Sequence, residues 1–318
     1  MVKVRSAGNR LAYVALGLGV IVVSSSSIMT RYAQADGLSS LSIAALRLVL
    51  ASIVLTPFAF ARNFGEIRAL SRRDLLLALA AGALLAAHFA TWISSLAYTS
   101  VASSTALVTT NPIWIAVASV ILFHERMRKG LVAAIGFALS GSILIFLAEG
   151  GTGGAQPDAP LGNALALVGS LAVSGYLLIG RALRRRLSLL AYIWIVYTGA
   201  AIALVMVAII AREPLWGFSP AGWALLLALA LGPQLMGHSV FNWALKQLSA
   251  TFIALAILGE PVGSAVLALI LFDEGFSQLQ IAGFALLLVG IYLGARSEHR
   301  IVPVAAVEPP MPPKAVNE

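Results

Sequence analysis

A repeat constrains this chain more than any other feature. The segment STALVTTNPIWIAVASVILFHERMRKGLVAAIGFALSG, starting at Ser104, returns from Phe252 as FIALAILGEPVGSAVLALILFDEGFSQLQIAGFALLLVG. Asn111-Pro112 matches Glu260-Pro261, Phe123 matches Phe272, Glu125 matches Glu274 and Gly141 matches Gly290, each pair 149 positions apart. Leu11 and Leu161, Ser24 and Ser174, and Arg31 and Arg181 match at an offset of 150. Apolar segments share Ala and Leu freely by chance, but rarely Pro, Phe, Glu and Gly together at one offset. The chain therefore reads as two copies of one unit, and such a repeat decides the architecture before any local pattern does.

The composition says what solvent surrounds the two units. Sixty per cent of residues are hydrophobic, only 11% are charged, and the mean hydropathy is +0.94. A soluble domain carries about 25% charged residues, so lipid is the implied solvent. Ten apolar runs cover 11–29, 39–61, 75–97, 101–123, 130–148, 161–180, 190–211, 221–243, 250–272 and 278–295. Each approaches the ~20 residues a helix needs to cross a bilayer, and helices satisfy their own backbone there. The expected fold is an all-α membrane protein of ten transmembrane helices, built as two five-helix repeats. The expected division is a tail over 1–10, a first unit over 11–148, a linker over 149–160, a second unit over 161–296 and a disordered tail over 297–318.

Charge placement orients the spans. Of the 21 Lys and Arg residues, 18 fall in segments on the side of the N-terminus; Arg31 and Arg212 fall on the other side, and Arg47 lies inside a span. Both termini are thus expected in the cytoplasm, with the protein in the cell (inner) membrane. The same placement accounts for the net charge of +8 without a nucleic-acid partner. Five spans per unit is an odd number, so the second unit enters the membrane upside down relative to the first. Glu125 then ends in a basic inner loop, and its counterpart Glu274, beside Asp273, in an acidic outer one. Such inverted repeats are common in secondary transporters. The basic start, apolar run and Ala33-Gln34-Ala35 imitate a cleavable signal, but the segment matches 161–181 inside the chain, so it reads as the first span. The linker EGGTGGAQPDAP lacks the Lys-Ser/Thr ending of a phosphate-binding loop.

Polar residues inside spans are costly to bury and are the first suspects for function. Arg47, His88, Asn111, Gln234, His238, Asn242 and Glu260 make up this set. At 1.5 Å per residue, Arg47 lies about 12 Å and Glu260 about 18 Å below the outer surface. They could bind the opposite charges of a zwitterion or pair with each other. His88 and His238 are 150 apart, and histidine titrates near neutral pH, so a proton is a candidate coupling ion. Pro112 and Pro261 each remove a helix hydrogen bond, from the carbonyls of Val108 and Ile257, and are expected to kink their helices. Trp92, Trp114 and Tyr197 are candidate pocket aromatics, whereas Trp216 and Trp223 read as interfacial anchors.

The two-times-five layout, the paired NP and EP motifs ahead of F-x-E, and the stretch WISSLAYTSVASSTAL from Trp92 to Leu107 resemble one family. It is the ten-helix, EamA-type branch of the drug/metabolite transporter superfamily, and the resemblance spans residues 11 to 295. It implies a central cavity lined by the third, fourth, eighth and ninth spans, with contributions from the first, second, sixth and seventh. It also implies structural roles for the fifth and tenth, which carry Gly136, Gly141, Gly290 and Gly294. Small four-helix multidrug relatives use a carboxylate in the first helix for proton exchange; spans 11–29 and 161–180 here have none.

Other classes fit less well. The chain has no cysteine, no H-E-x-x-H and no G-x-S-x-G, so the common metal and nucleophile motifs of enzymes are missing, and no cofactor is expected. A channel would favour more polar pore-lining helices than these Ala/Leu-rich ones. The expected function is alternating-access export of a small metabolite, such as an amino acid or related compound. Drug efflux is the alternative. The expected partners are the small-molecule substrate and membrane lipid; oligomeric state is left open.

Overall fold

The computed structural model describes residues 2–99, 101–123, 127–148, 158–272 and 277–298. Glu125, Glu274, Asp273, most of the linker and most of the C-terminal tail lie outside the described residues. Among the described residues every regular element is helical. They are α1 (Val2–Ala35), α2 (Ser40–Arg68), α3 (Arg72–Tyr98), α4 (Val101–Val108), α5 (Asn111–Phe123), α6 (Lys129–Ala148), α7 (Ala159–Leu183), α8 (Leu189–Ile210) and α9 (Pro220–Leu229). A π-helical segment (Ala230–His238) leads into α10 (Ser239–Ala244), followed by α11 (Ala250–Ile257), α12 (Glu260–Phe272) and α13 (Gln278–Glu298).

Local sequence sets the ends of these helices. Ser39, Ser71, Ser188, Ser219 and Ser249 each stand in extended conformation before a helix, and each side chain accepts from the backbone N–H three residues on. Such serine caps satisfy a donor that lipid could not. After α1 the chain turns at Gly37, whose φ of +91° suits glycine, and Leu38 N donates to Ala33 O at 3.0 Å, closing the helix end.

Among the described residues eight helical stretches are long and apolar enough to cross a membrane, and Lys129–Ile145 is a shorter apolar helix. The ten runs of the sequence and these eight stretches part company over 101–123 and 130–148. In the first, the break between α4 and α5 at Thr109-Thr110 leaves two short helices. The outer surface carries large apolar side chains, with Ile210 82%, Ile270 71% and Leu76 66% exposed. Exposure on that scale suits acyl chains, not water.

Small residues set the packing. On α6 and α13 the contacts are reciprocal. A Cβ on Gly141 would stand 2.5 Å from Gly283 O and 2.6 Å from Leu287 N; one on Gly290 would stand 2.7 Å from Ala134 O and 2.5 Å from Ala138 N. As positions rise along α6 they fall along α13, so the helices run antiparallel. Subtracting 149 from Gly283, Leu287 and Gly290 yields Ala134, Ala138 and Gly141, so each helix presents its equivalent face to the other. The other large interfaces are α3 with α7 and α2 with α8. On α1, Ser264 Oγ of α12 donates to Ser24 O at 2.9 Å, while Val23 meets Gly237 of the π segment. At one end of the bundle Ser188 N donates to Glu66 Oε1 at 2.6 Å, and Arg186 pairs with Asp74 at 3.0 Å.

Candidate functional site

The interior holds a narrow, partly open pocket where both halves meet. Val23 of α1 and His88 and Trp92 of α3 face it, with Val108, Thr109 and Asn111 from the α4–α5 break. The second half contributes Val173, Tyr176 and Leu177 of α7, His238 of the π segment, Phe241 of α10, and Ile257 and Glu260 from the α11–α12 break. In the ten-run numbering these are the first, third, fourth, sixth, eighth and ninth runs. Neither α6 nor α13 reaches the cavity; they pack mainly on one another.

The two breaks follow from the prolines. α4 stops at Val108, four residues before Pro112, and α11 stops at Ile257, four before Pro261. A proline offers no N–H to the carbonyl four residues back, so each helix stops there and a new one starts at Asn111 or Glu260. Asn111 is 1% and Glu260 5% exposed, yet Asn111 Oδ1 and Glu260 Oε1 have no hydrogen-bond partner. Unsatisfied buried acceptors are costly, and here they belong to a cavity wall.

Beside them stands a layer of rings. His88 stacks on Trp92 with centroids 5.9 Å apart and planes 3° off parallel. Its Nδ1 lies 3.0 Å from Gly169 O, so Nδ1 carries the proton in that contact. His238 meets His88 edge-on at 6.4 Å and Phe241 at 5.6 Å. Trp92 Nε1 is buried without an acceptor.

Arg47 is fully buried one layer back. Its guanidinium sits 4.3 Å above the Phe89 ring, and Nη1 donates to Ser26 Oγ at 3.2 Å. Nε and Nη2 have no partner, and among the described residues no carboxylate oxygen lies within 4.0 Å of it. Arg47 and Glu260 therefore form no ion pair in this structure. Phe89 touches the His238 ring at 5.3 Å on its other contacts, which places Arg47 one ring away from the cavity wall.

Of the other expected residues, Asn242 and Tyr197 belong to a polar cluster behind Tyr176. Asn242 Nδ2 lies 2.5 Å from Tyr176 Oη, 2.9 Å from His238 O and 3.3 Å from Tyr197 Oη. Arg184 Nε donates to Asn242 O at 3.0 Å, and burial holds that guanidinium below the usual arginine range. Gln234 is fully buried in the π segment, both amide atoms unpartnered. Trp114 is half-buried and off the cavity wall, its Nε1 without an acceptor. Trp216 and Trp223 are exposed. Tyr176, Phe241 and Thr109 line the cavity without having been singled out in the sequence. Tyr176 stands 150 positions after Ser26, as Tyr197 stands 150 after Arg47.

A bundle of apolar helices around an interior cavity shared by two halves, mostly apolar but carrying a few buried polar groups, fits a membrane transporter. The chain belongs to the EamA-like transporter family, whose model matches it twice, over residues 10–147 and 160–295. An uncharacterized transporter of Bacillus subtilis (strain 168), YetK, is 22% identical over 285 residues, covering 89% of this chain and 86% of that one. A protein of known crystal structure shares the fold with a TM-score of 0.73 at 18% identity, over 91% of this chain and 99% of its own.

Proposed function

We propose that the protein is a secondary transporter that exports a small metabolite, an amino acid or related compound, by alternating access of two inverted five-helix units. The observation that carries this reading is the cavity at the two proline breaks. It is bounded by both halves, and it holds one carboxylate and two imidazoles inside a bundle whose outer face is apolar. In this reading Glu260 receives a positively charged group. Arg47, buried with Nε and Nη2 unpartnered, receives the negative one once Phe89 or its neighbours shift. Trp92, His88, His238 and Asn111 shape the space between, and Gln234, Asn242, Tyr197 and Trp114 act from behind the wall. Pro112 and Pro261 are the hinges.

The two-unit division over 11–148 and 161–296 draws support from the two family matches, and the inversion from the antiparallel, reciprocal packing at Gly141 and Gly290. Ten crossings with both termini in the cytoplasm agree with the bias of 18 cationic residues to two. The test has two arms. Reporter fusions at Gln156 and at the C-terminus are expected outside and inside respectively; a cytoplasmic signal at Gln156 removes the inversion. Proteoliposomes preloaded with an amino-acid mixture are expected to exchange labelled substrate saturably. Leakage that never saturates points to a channel instead.

A further inference from the structure

The two breaks put the same chemistry in one place twice. Val108 and Ile257 are 149 apart, as are Asn111 and Glu260, and all four line the cavity. Each proline takes away the usual donor to a carbonyl at the last residue of a helix, and the C-terminal end of a helix carries partial negative charge. Asn111 Oδ1 and Glu260 Oε1 are buried acceptors with nothing to accept from. Of the donors near them, His88 Nδ1 is engaged with Gly169 O, Arg47 lies a layer behind, bonded to Ser26, and Trp92 Nε1, buried without an acceptor, bonds to neither oxygen. Two unpartnered side-chain oxygens, one of them on a carboxylate, thus line one cavity at the junction of the two halves, each beside a helix end whose last carbonyl has lost its usual donor.

We propose that the paired breaks form a single monovalent cation site, in which Glu260 supplies the charge and Asn111 with the Val108 and Ile257 carbonyls completes an all-oxygen shell. Unwound helix carbonyls facing a midplane cavity are suited to such a cation. The occupant is either the ammonium of a substrate or a free sodium ion; the chemistry the wall sees is the same. This builds on the reading of the cavity as the transport site, but it concerns equilibrium binding. A chain that binds cations without moving solute sinks only the transport reading, and one that transports without binding them sinks only this proposal.

The experiment is thermal melting of the purified full chain in detergent at constant ionic strength. N-methyl-D-glucamine chloride is replaced stepwise by methylammonium chloride or by sodium chloride. A ligand that binds only the folded state raises the melting temperature saturably. We expect that rise with methylammonium if the site takes a substrate amine, and with sodium if it takes a coupling ion. Glu260→Gln is expected to weaken the apparent affinity by at least about thirtyfold, as removing one side of a desolvated charge pair does. Because the two corners are equivalent, the swap Asn111→Glu/Glu260→Asn is expected to restore the response. Asn111→Asp alone, which adds a second carboxylate, is expected to tighten it. Identical melts in all three salts overturn the proposal. So does a response to pH without response to either cation, a folded swap variant as flat as Glu260→Gln, or a folded Asn111→Asp with weaker binding than the parent.

Discussion

At the first break of the bundle Asn111 stands where Glu260 stands at the second, and on the helix behind, Arg47 stands where Tyr197 does. The partner of Arg47 is Ser26 of α1; the residue equivalent to Ser26 is Tyr176 of α7, which Asn242 bridges to Tyr197. By contrast Pro112 and Pro261, Gly141 and Gly290, and His88 and His238 are the same in both halves. The residues that shape backbone and packing repeat, and the charges buried in the interior, Arg47 and Glu260, do not. Each half needs the same bend and the same close crossing to stand in the bundle. On the proposed reading, a zwitterionic ligand needs only one positive and one negative group, both placed by breaking the repeat. The second half fills the position equivalent to Arg47 and Ser26 with a hydrogen-bonded tyrosine pair and so avoids a second buried charge, which would be expensive in lipid.

The largest expected effect tests that asymmetry directly. Glu260→Gln should lower transport by about thirtyfold or more at near-normal membrane insertion, since it removes the one formal charge of the cavity wall. Asn111→Ala should cost far less, on the order of one neutral hydrogen bond, roughly 0.5–1.5 kcal/mol or up to about tenfold. Equal losses in the two variants, measured as initial rates in proteoliposomes, would mean that the corners act alike and that charge is not what separates them.

A middle-sized effect tests the symmetric part. Alanine at Gly141 or at Gly290 forces a Cβ to about the same separation, 2.5 Å, from backbone atoms of the facing helix. Overpacking of this kind costs about 1–3 kcal/mol. Both variants should lower the melting temperature by similar amounts, and neither should alter substrate affinity, because α6 and α13 do not reach the cavity. A marked difference between the two would break the reciprocity seen at that crossing.

Much of this was legible in the chain itself. The repeat, the proline breaks and the buried residues His88, Trp92, Asn111, His238 and Glu260 all follow from spacing and from the cost of polarity in lipid. Three features did not. The π-helical turn over Ala230–His238 has only Gly232, Pro233 and Gly237 to announce it, and glycine and proline mark many kinds of irregularity. Tyr176 and Phe241 look like any aromatic in an apolar run, since hydropathy does not say which face of a buried helix meets a cavity. Depth counted along a helix brought Arg47 and Glu260 near one level but said nothing of lateral position, and it is the Phe89 ring, not a carboxylate, that sits against the guanidinium.

That last point yields the smallest and sharpest expectation. If Arg47 and Glu260 paired, removing either would strand the other, at about 3–5 kcal/mol, and the double variant would be milder than each single one. Among the described residues no carboxylate lies within 4.0 Å of Arg47, and Glu260 Oε1 is unpartnered, so no direct pair joins the two and their energies of folding should couple only weakly. For Arg47→Met, Glu260→Gln and the double variant, the coupling in thermal stability should stay within about 0.3–0.5 kcal/mol, the range for residues that share no partner. Substrate affinity should behave otherwise: if one zwitterionic molecule spans both charges, losing one end alters its seat at the other, and the same cycle read in binding should exceed that range. Coupling in stability alone would mean the two pair in a state other than this one. Additivity in both readings would take Arg47 out of the site and leave Glu260 to bind a ligand with no anionic end.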